Sequence, residues 1–134
     1  MNKKIVGLFL ALSVSLMAKN IVVDSETGLI WQDSRTIVKK NWSGAKGYCK
    51  NLSLGGYDNW RLPHIDELIS IVDTKRKSPA IKKIFKNTQS SWYWSSTEYK
   101  GHSSKAWYVY FRNGFDYYGN KSDEGYVRCV VGRQ

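Results

Sequence analysis

The sequence predicts one α+β domain in which two helices are followed by a short antiparallel sheet. Two segments between positions 41 and 72 repeat apolar residues at helical spacing. The later half of the chain contains short runs of aromatic and β-branched residues separated by glycine and asparagine, which is typical of strands and turns. The chain has 134 residues, a length that supports one hydrophobic core rather than two.

The first predicted elements are a β-hairpin and a helix. The segment "IVVDSETGLIWQD" predicts two strands, with Gly28 supplying a positive φ in the turn between them. In "NWSGAKGYCKNLSLGG" the apolar residues recur at helical spacing behind Asn41, a suitable N-cap, and the paired glycines end the helix. This arrangement places Cys49 on the buried face of the helix.

A second helix is predicted in "RLPHIDELISIVD", with Asp66 and Glu67 in the first turn, where the helix dipole favours negative charge. The residues before it form a structural corner, in which Trp60 fills core and Arg61 meets a carboxylate or helix carbonyls. The predicted apolar stripe consists of Ile65, Leu68, Ile69 and Val72. The following chain is predicted to be irregular, with core anchors at Ile81, Ile84 and Phe85.

The rest of the chain predicts β structure in four segments, "WYWSS", "KAWYVYF", "GFDYYG" and "YVRCVVG". The Asn-Gly pair at positions 113–114 indicates a hairpin between the second and third segments. Alternation along the second segment separates two faces. One face carries Trp107, Val109 and Phe111, and the other carries Tyr108, Tyr110 and Arg112. The last segment is predicted to place Cys129 on the same face as its neighbouring valines, Val127 and Val131.

The N-terminus is typical of a secretory signal peptide, which we assign to residues 1–18 because two lysines precede an apolar stretch. The stretch is shorter than the roughly 20 residues of a membrane span, and an uncleaved N-terminal anchor is the alternative interpretation. Residues 19–134 are then one exported domain, without a membrane span, in the periplasm or outside the cell. The formal charge of +10 falls to about +8 when the two lysines are removed.

The chain contains two cysteines, Cys49 and Cys129. In an oxidising compartment they predict one disulfide that closes a loop of about 80 residues, worth about 4.5 kcal/mol in the chain-entropy model. Two functional thiols are the alternative. Two cysteines without CxxC spacing and two histidines do not make a zinc site, so we predict no metal and no other cofactor. The residues Ser95, Ser96, His64 and His102 lack the spacing of a catalytic triad or nucleophile elbow, and we predict no enzyme activity.

Five motifs occur in a fixed order: "TGLIWQD", "GAKGYCKNL", "GGYDNWRLPHIDEL", "YWSST" and "YVRCVVG". Together they resemble the C-terminal domain family of Legionella collagen-like adhesins. The resemblance implies a C-type lectin-like fold in an exported bacterial protein, distantly similar to formylglycine-generating enzymes. For the adhesin member it implies binding of sulfated glycosaminoglycans. Because no collagen-like region precedes the motifs and the Glu-Pro-Asn and Trp-Asn-Asp motifs are missing, we expect neither a built-in trimer nor a calcium-dependent sugar site.

Six cations without an acidic residue lie in residues 75–86, here called the basic segment. They are Lys75, Arg76, Lys77, Lys82, Lys83 and Lys86. Such a run attracts polyanions, and a solvated loop is the alternative interpretation. With the resemblance, it predicts a non-catalytic exported module that binds acidic or sulfated polysaccharide and no specific nucleic acid. We expect Arg112 to hold a sulfate or carboxylate group of the ligand and Tyr118 to stack on a sugar ring. The alternative is that one face of the sheet packs in the core and the other lies under a loop. The alternative function is a cell-envelope accessory protein that makes protein–protein contacts through the aromatic sheet, that is, the tyrosine-rich predicted strands in residues 105–119.

Overall fold

The computed structural model describes residues 20–132, and these residues form two helices and eight strands. The helices are α1 (Trp42–Lys50) and α2 (Ile65–Ser70). The strands are β1 (Ile21–Val23), β2 (Ile30–Gln32), β3 (Lys39–Lys40), β4 (Trp92–Glu98), β5 (Lys105–Tyr110), β6 (Phe115–Asn120), β7 (Gly125–Tyr126) and β8 (Val130–Val131). The predicted α+β class is confirmed, and the predicted signal peptide lies outside the described residues.

The strands are divided between two sheets. One has three antiparallel strands in the order β1-β2-β8, and the other has five strands in the order β3-β7-β4-β5-β6, with β4 and β7 parallel. The prediction of one antiparallel sheet that ends in the single strand "YVRCVVG" is therefore wrong. The segment is split because its middle residues bond elsewhere: Val127 N donates to Val38 O, and Cys129 N donates to the Gln32 side chain.

The first hairpin and first helix agree with the sequence prediction. Gly28 has a φ of 76°, and its N–H donates to Asp24 O at 2.7 Å in the turn between β1 and β2. The Asn41 side chain caps α1 by accepting from Gly44 N at 2.8 Å. Cys49 is fully buried on α1 and forms the predicted disulfide with Cys129, 80 residues away. The disulfide ties α1 to the segment between β7 and β8.

The second helix is shorter than its apolar pattern predicts, and two predicted core residues are exposed. The helix ends at Ser70, so Ile71 leaves the helical period and is fully buried, whereas Ile69 is 42% exposed. In the irregular chain that follows, a backbone bond from Phe85 N to Lys82 O makes a turn that leaves Ile84 41% exposed. The predictions that Ile69 and Ile84 are core residues are wrong; those for the anchors Ile81 and Phe85 are confirmed.

The corner before α2 has the predicted structural contacts. Trp60 is buried, and its indole Nε1 donates to Tyr57 O at 3.1 Å. Both terminal nitrogens of Arg61 donate to the Glu67 carboxylate, at 2.8 and 2.7 Å. Glu67 also accepts from His64 N at 2.8 Å, which caps the first turn of α2. The Arg61 backbone pairs with Val130 of β8, so the corner joins helix α2 to the three-stranded sheet.

The five-stranded sheet separates two hydrophobic clusters. Neighbouring residues of β4, Tyr93 and Trp94, enter different clusters, and on β5 Val109 enters one while Ala106 enters the other. Cys129 lies in the same cluster as Val127 and Val131, as predicted, whereas Val130 lies in the other cluster. The 113–114 hairpin is confirmed by the antiparallel register of β5 and β6. Because a hydrophobic cluster packs on each face of the sheet, we expect binding surfaces at its loops and at its edge strand.

Candidate functional site

The first half of the basic segment is a loop closed by backbone bonds. Val72 and Ile81 form a β-bridge, and Ala80 N donates to Phe111 O at 2.6 Å. Ser78 N donates to Arg112 O at 3.2 Å, so the loop lies against the turn between β5 and β6. Its exposed tip carries Lys75, Arg76 and Lys77. The structure therefore brings the loop that carries these three cations against Arg112, which is also exposed.

The second half of the basic segment is held by a buried ion pair. Asp33, 3% exposed, accepts from Lys86 N at 2.9 Å and Asn87 N at 3.0 Å. Arg128, equally buried, lies 3.2 Å from the Asp33 carboxylate and donates to Asn87 O. The Lys86 ammonium donates to Lys83 O at 2.9 Å. The backbone is thus fixed from inside, while the side chains of Lys83 and Lys86 are exposed.

Lys82 differs from the other five cations of the segment. Its ammonium lies 3.4 Å from the Asp24 carboxylate and 3.3 Å from the Glu26 carboxylate, both in the turn between β1 and β2. Its side chain is only 21% exposed. Two acidic groups therefore balance its charge, a pairing that the composition of the segment itself does not reveal. Its role in binding stays a prediction.

Tyr118 belongs to a separate surface, here called the aromatic cluster and formed by Tyr99, His102, Trp107 and Tyr118. The Tyr99 and Tyr118 rings stack with centroids 3.9 Å apart, and Trp107 packs edge-on against Tyr118. A hydrogen bond with Tyr118 raises the pKa of the Tyr99 hydroxyl. Tyr118 pairs with Trp107, well along β6 from the turn that carries Arg112. The structure does not bring these two predicted ligand residues together.

Sequence reasoning also missed Arg35, which lines a groove of about 730 Å³ together with Lys86. We call this the Arg35 groove. Arg35 is a single cation between β2 and β3, so it does not stand out in the sequence as a run of charges does. Arg35 is linked to the basic segment because both it and Lys86 line this groove. The aromatic cluster was missed for a similar reason, because Tyr99 and His102 come from the loop between β4 and β5.

Side chains considered for catalysis or metal binding have structural roles or do not cluster. Ser95 is fully buried and donates to Trp107 O at 2.6 Å, and His64 is the N-cap residue of α2. Within residues 20–132, no three His, Cys, Asp or Glu side chains are grouped so that they could hold a metal ion. In the same range, no helix has the length and apolar character needed to cross a membrane.

Comparisons with known proteins place the chain in a family. No curated protein matches it. A model of the Lcl C-terminal domain matches residues 20–131, from the residue before β1 to the end of β8. That span includes the disulfide, both helices and the whole basic segment. The chain belongs to the Lcl C-terminal domain family.

Proposed function

We propose that this protein is an exported, non-catalytic binding module with a C-type lectin-like fold, and that it binds acidic or sulfated polysaccharide through the basic segment. Membership of an adhesin-associated domain family supports export and a binding role. The observation that carries the ligand class is that five of the six cations are exposed on a backbone fixed at both ends. Arg112 extends this positive surface at one end.

A linear polyanion suits this surface for physical reasons. Its repeated negative charges can pair with several cations at once, and the local positive potential speeds their encounter. Because bonds to Phe111, Asp33 and Arg128 already order the backbone, binding orders chiefly the long lysine side chains and loses less entropy. Flexible ammonium groups make few geometric demands. The expected selectivity is therefore for charge density more than for one sugar sequence.

The test is retention of the purified protein on immobilised heparin. The variant changes Lys75, Lys77 and Lys83 to Gln, all exposed in the basic segment. The matched control changes Lys40, Lys50 and Lys100 to Gln, which removes the same charge from exposed positions elsewhere. We expect the first variant to elute at clearly lower salt than the control, because close charge pairs are screened by added ions. Equal elution of the two variants would show that net charge alone, rather than this segment, causes retention.

A second candidate function is an envelope accessory protein that contacts another protein through the aromatic sheet. The observation that favours it is that β6 lies at the edge of the five-stranded sheet with Phe115, Tyr117 and Tyr118 between 41% and 57% exposed. Exposed apolar surface of this kind marks interaction sites. Capture of an envelope protein that resists high salt, and that is lost in Tyr118→Ala or Tyr110→Ala, would favour this function over polysaccharide binding.

A further inference from the structure

The Arg35 groove is a second surface with the size and chemistry of a small-ligand site. It lies between the chain after β2, the end of α1 and residues 86–87, and its volume is about 730 Å³. Small-molecule sites commonly occupy about 300–1,000 Å³. One wall of the groove, at Lys86 and Asn87, is held by the buried Asp33 carboxylate. This wall of the groove is thus built on fixed backbone.

A buried glutamine orients a hydrogen-bond donor toward this groove. Gln32 is 4% exposed, and its Oε1 accepts from Cys129 N at 3.0 Å. Since a backbone N–H can only donate, the opposite end of the amide must be Nε2, which donates to the Tyr48 hydroxyl at 3.3 Å. The Tyr48 oxygen is then an acceptor, and its hydrogen is left to donate to a ligand. Tyr48 lines the groove.

The charges around the groove select the ligand. Arg35 and Lys86 are exposed and line it, and none of the described lining residues is acidic. The Asp33 carboxylate, next to Gln32 in the chain, is buried and occupied by two backbone N–H groups and Arg128. A ligand must therefore supply negative charge and acceptor oxygens. Leu52 and Leu54 add an apolar strip that suits the C–H face of a sugar ring.

We propose that the Arg35 groove holds one sugar unit that carries a carboxylate or sulfate group. Arg35 and Lys86 pair with the anionic group, the Tyr48 hydroxyl donates to a ring oxygen or hydroxyl, and the ring lies on the two leucines. The proposal rests on the proposed function for the source of such units. The basic segment and the Arg35 groove are adjacent, because Lys86 belongs to the segment and also lines the groove. The Lys86 ammonium donates to Lys83 O, which lies in the same segment. A polysaccharide bound along the basic segment can therefore place one sugar unit in the groove.

The experiment titrates the isotope-labelled protein with glucuronate, a glucose sulfate ester, glucose, and sodium acetate or sulfate alone, and follows amide signals by NMR. We expect saturable shifts confined to the groove residues with one or both anionic sugars, and none with glucose. Arg35→Gln should weaken that binding by about tenfold or more, and Tyr48→Phe by about twofold to tenfold, as expected for charged and neutral hydrogen bonds. Lys100→Gln, at an exposed position outside both the basic segment and the groove, is the control and should bind as the unchanged protein does.

Three outcomes overturn the proposal: no saturable shifts with either anionic sugar, equal shifts with the simple salts, or unchanged affinity in Arg35→Gln. Arg35 is exposed, so its replacement does not threaten folding and keeps the test decisive. Failure here is distinct from failure of the proposed function. Segment-dependent retention on heparin without sugar binding would reject the groove site and support polysaccharide binding by the basic segment. Sugar binding without segment-dependent retention would support the groove site and reject polysaccharide binding by the basic segment.

Discussion

Arg128 is the residue that connects the basic segment to the interior. Its guanidinium pairs with Asp33, donates to Thr88 Oγ1 at 2.8 Å and lies 4.9 Å from the centre of the Phe85 ring. In the sequence it appears as a cation between Val127 and Cys129 in a predicted strand. Arg128 can be buried because it pairs with Asp33, which lies about 95 residues earlier in the chain. The sequence pattern around Arg128 does not show this partner.

Replacing Arg128 should therefore destabilise the whole domain. We expect Arg128→Leu to lower the free energy of unfolding by about 3–5 kcal/mol, because it leaves the Asp33 carboxylate buried without its partner. Urea denaturation measures the change. The double variant with Asp33→Asn is the control, and it should recover part of the loss because no unpaired charge remains. A loss below about 1 kcal/mol, as for an exposed pair, would contradict this role.

Glu67 gives a second prediction at the residue scale, and it concerns pH. Burial alone would raise the pKa of Glu67. The hydrogen bonds from Arg61 and the His64 backbone, together with the Arg61 charge, outweigh burial and lower this pKa from its ordinary value. A carboxyl group whose folded pKa is lowered stabilises the fold above its unfolded pKa. That contribution is lost as the pH falls through the folded value.

We expect Glu67→Gln to lower the free energy of unfolding at about pH 7 by about 1.5–3 kcal/mol, as charged hydrogen bonds do. The difference from the unchanged protein should shrink as the pH falls from about 5 toward about 2. Urea denaturation across this range measures it, with the exposed neighbour variant Asp66→Asn as the control. A difference that stays constant with pH would mean that packing, not ionisation, explains the effect.

At the scale of single elements, β7 depends on one close approach. A Cβ atom at Gly125 would overlap the six-membered ring of Trp92 on the neighbouring β4. The glycine therefore allows the parallel pairing in which Tyr93 of β4 is matched to Tyr126. The sequence predicts that strand residues lie here, but not that an indole ring fills the space above the glycine.

We predict that Gly125→Ala destabilises the domain by about 1–3 kcal/mol, the usual range for overpacking a dense core. The matched control is Gly47→Ala in α1, where an added Cβ has no neighbour within 4 Å. That change should stabilise the domain by about 0.5–1 kcal/mol, because alanine has the higher helix propensity. Thermal unfolding of both variants tests the pair, and similar effects of the two substitutions would contradict it.

The elements predicted correctly are those whose causes are local. The Gly28 turn, the Asn41 cap and the hairpin at 113–114 each depend on residues a few positions apart. The division of the last segment between two sheets depends instead on Val38 and the Gln32 side chain, which lie about 90 residues earlier. The premature end of α2 also escaped prediction, because the apolar pattern continues past Ser70.

At the scale of the whole molecule, the disulfide joins parts of the chain that are 80 residues apart. It links α1 to the segment that leaves the five-stranded sheet and enters the three-stranded one. Both sulfurs lie in the cluster that contains Trp42 and Trp94. In the unfolded chain the bond therefore limits how far the residues of α1 can move from the segment between β7 and β8.

We expect Cys49→Ser to lower the free energy of unfolding by about 2–5 kcal/mol and the melting temperature with it. The variant that replaces both cysteines should lose nearly the same amount, because either change removes the same bond. Calorimetry compares them, and thiol titration of the denatured, unreduced protein should find no free cysteine. Two reactive thiols in that titration would refute the disulfide and reopen a thiol-based function.

The sequence predicts only those parts of the candidate site whose cations are close together in the chain. The three cations of the loop tip remain exposed neighbours after folding, as a charge run suggests. Lys82 is balanced by two carboxylates more than 50 residues away, and Arg35 joins the surface from another segment. Tyr118 faces a different region for the same reason: which residues share a surface depends on strand order, which the sequence pattern does not give.

The anchoring of the basic segment has a consequence for engineering. The groups that hold it are backbone atoms and interior side chains, whereas the exposed cations at positions 75, 76, 77, 83 and 86 make no side-chain ion pair among the interactions of the described residues. These positions can therefore be randomised together without removing an interior contact. A display library built on them would vary which anionic polymers are captured while the scaffold retains its shape, as antibody loops do on their framework.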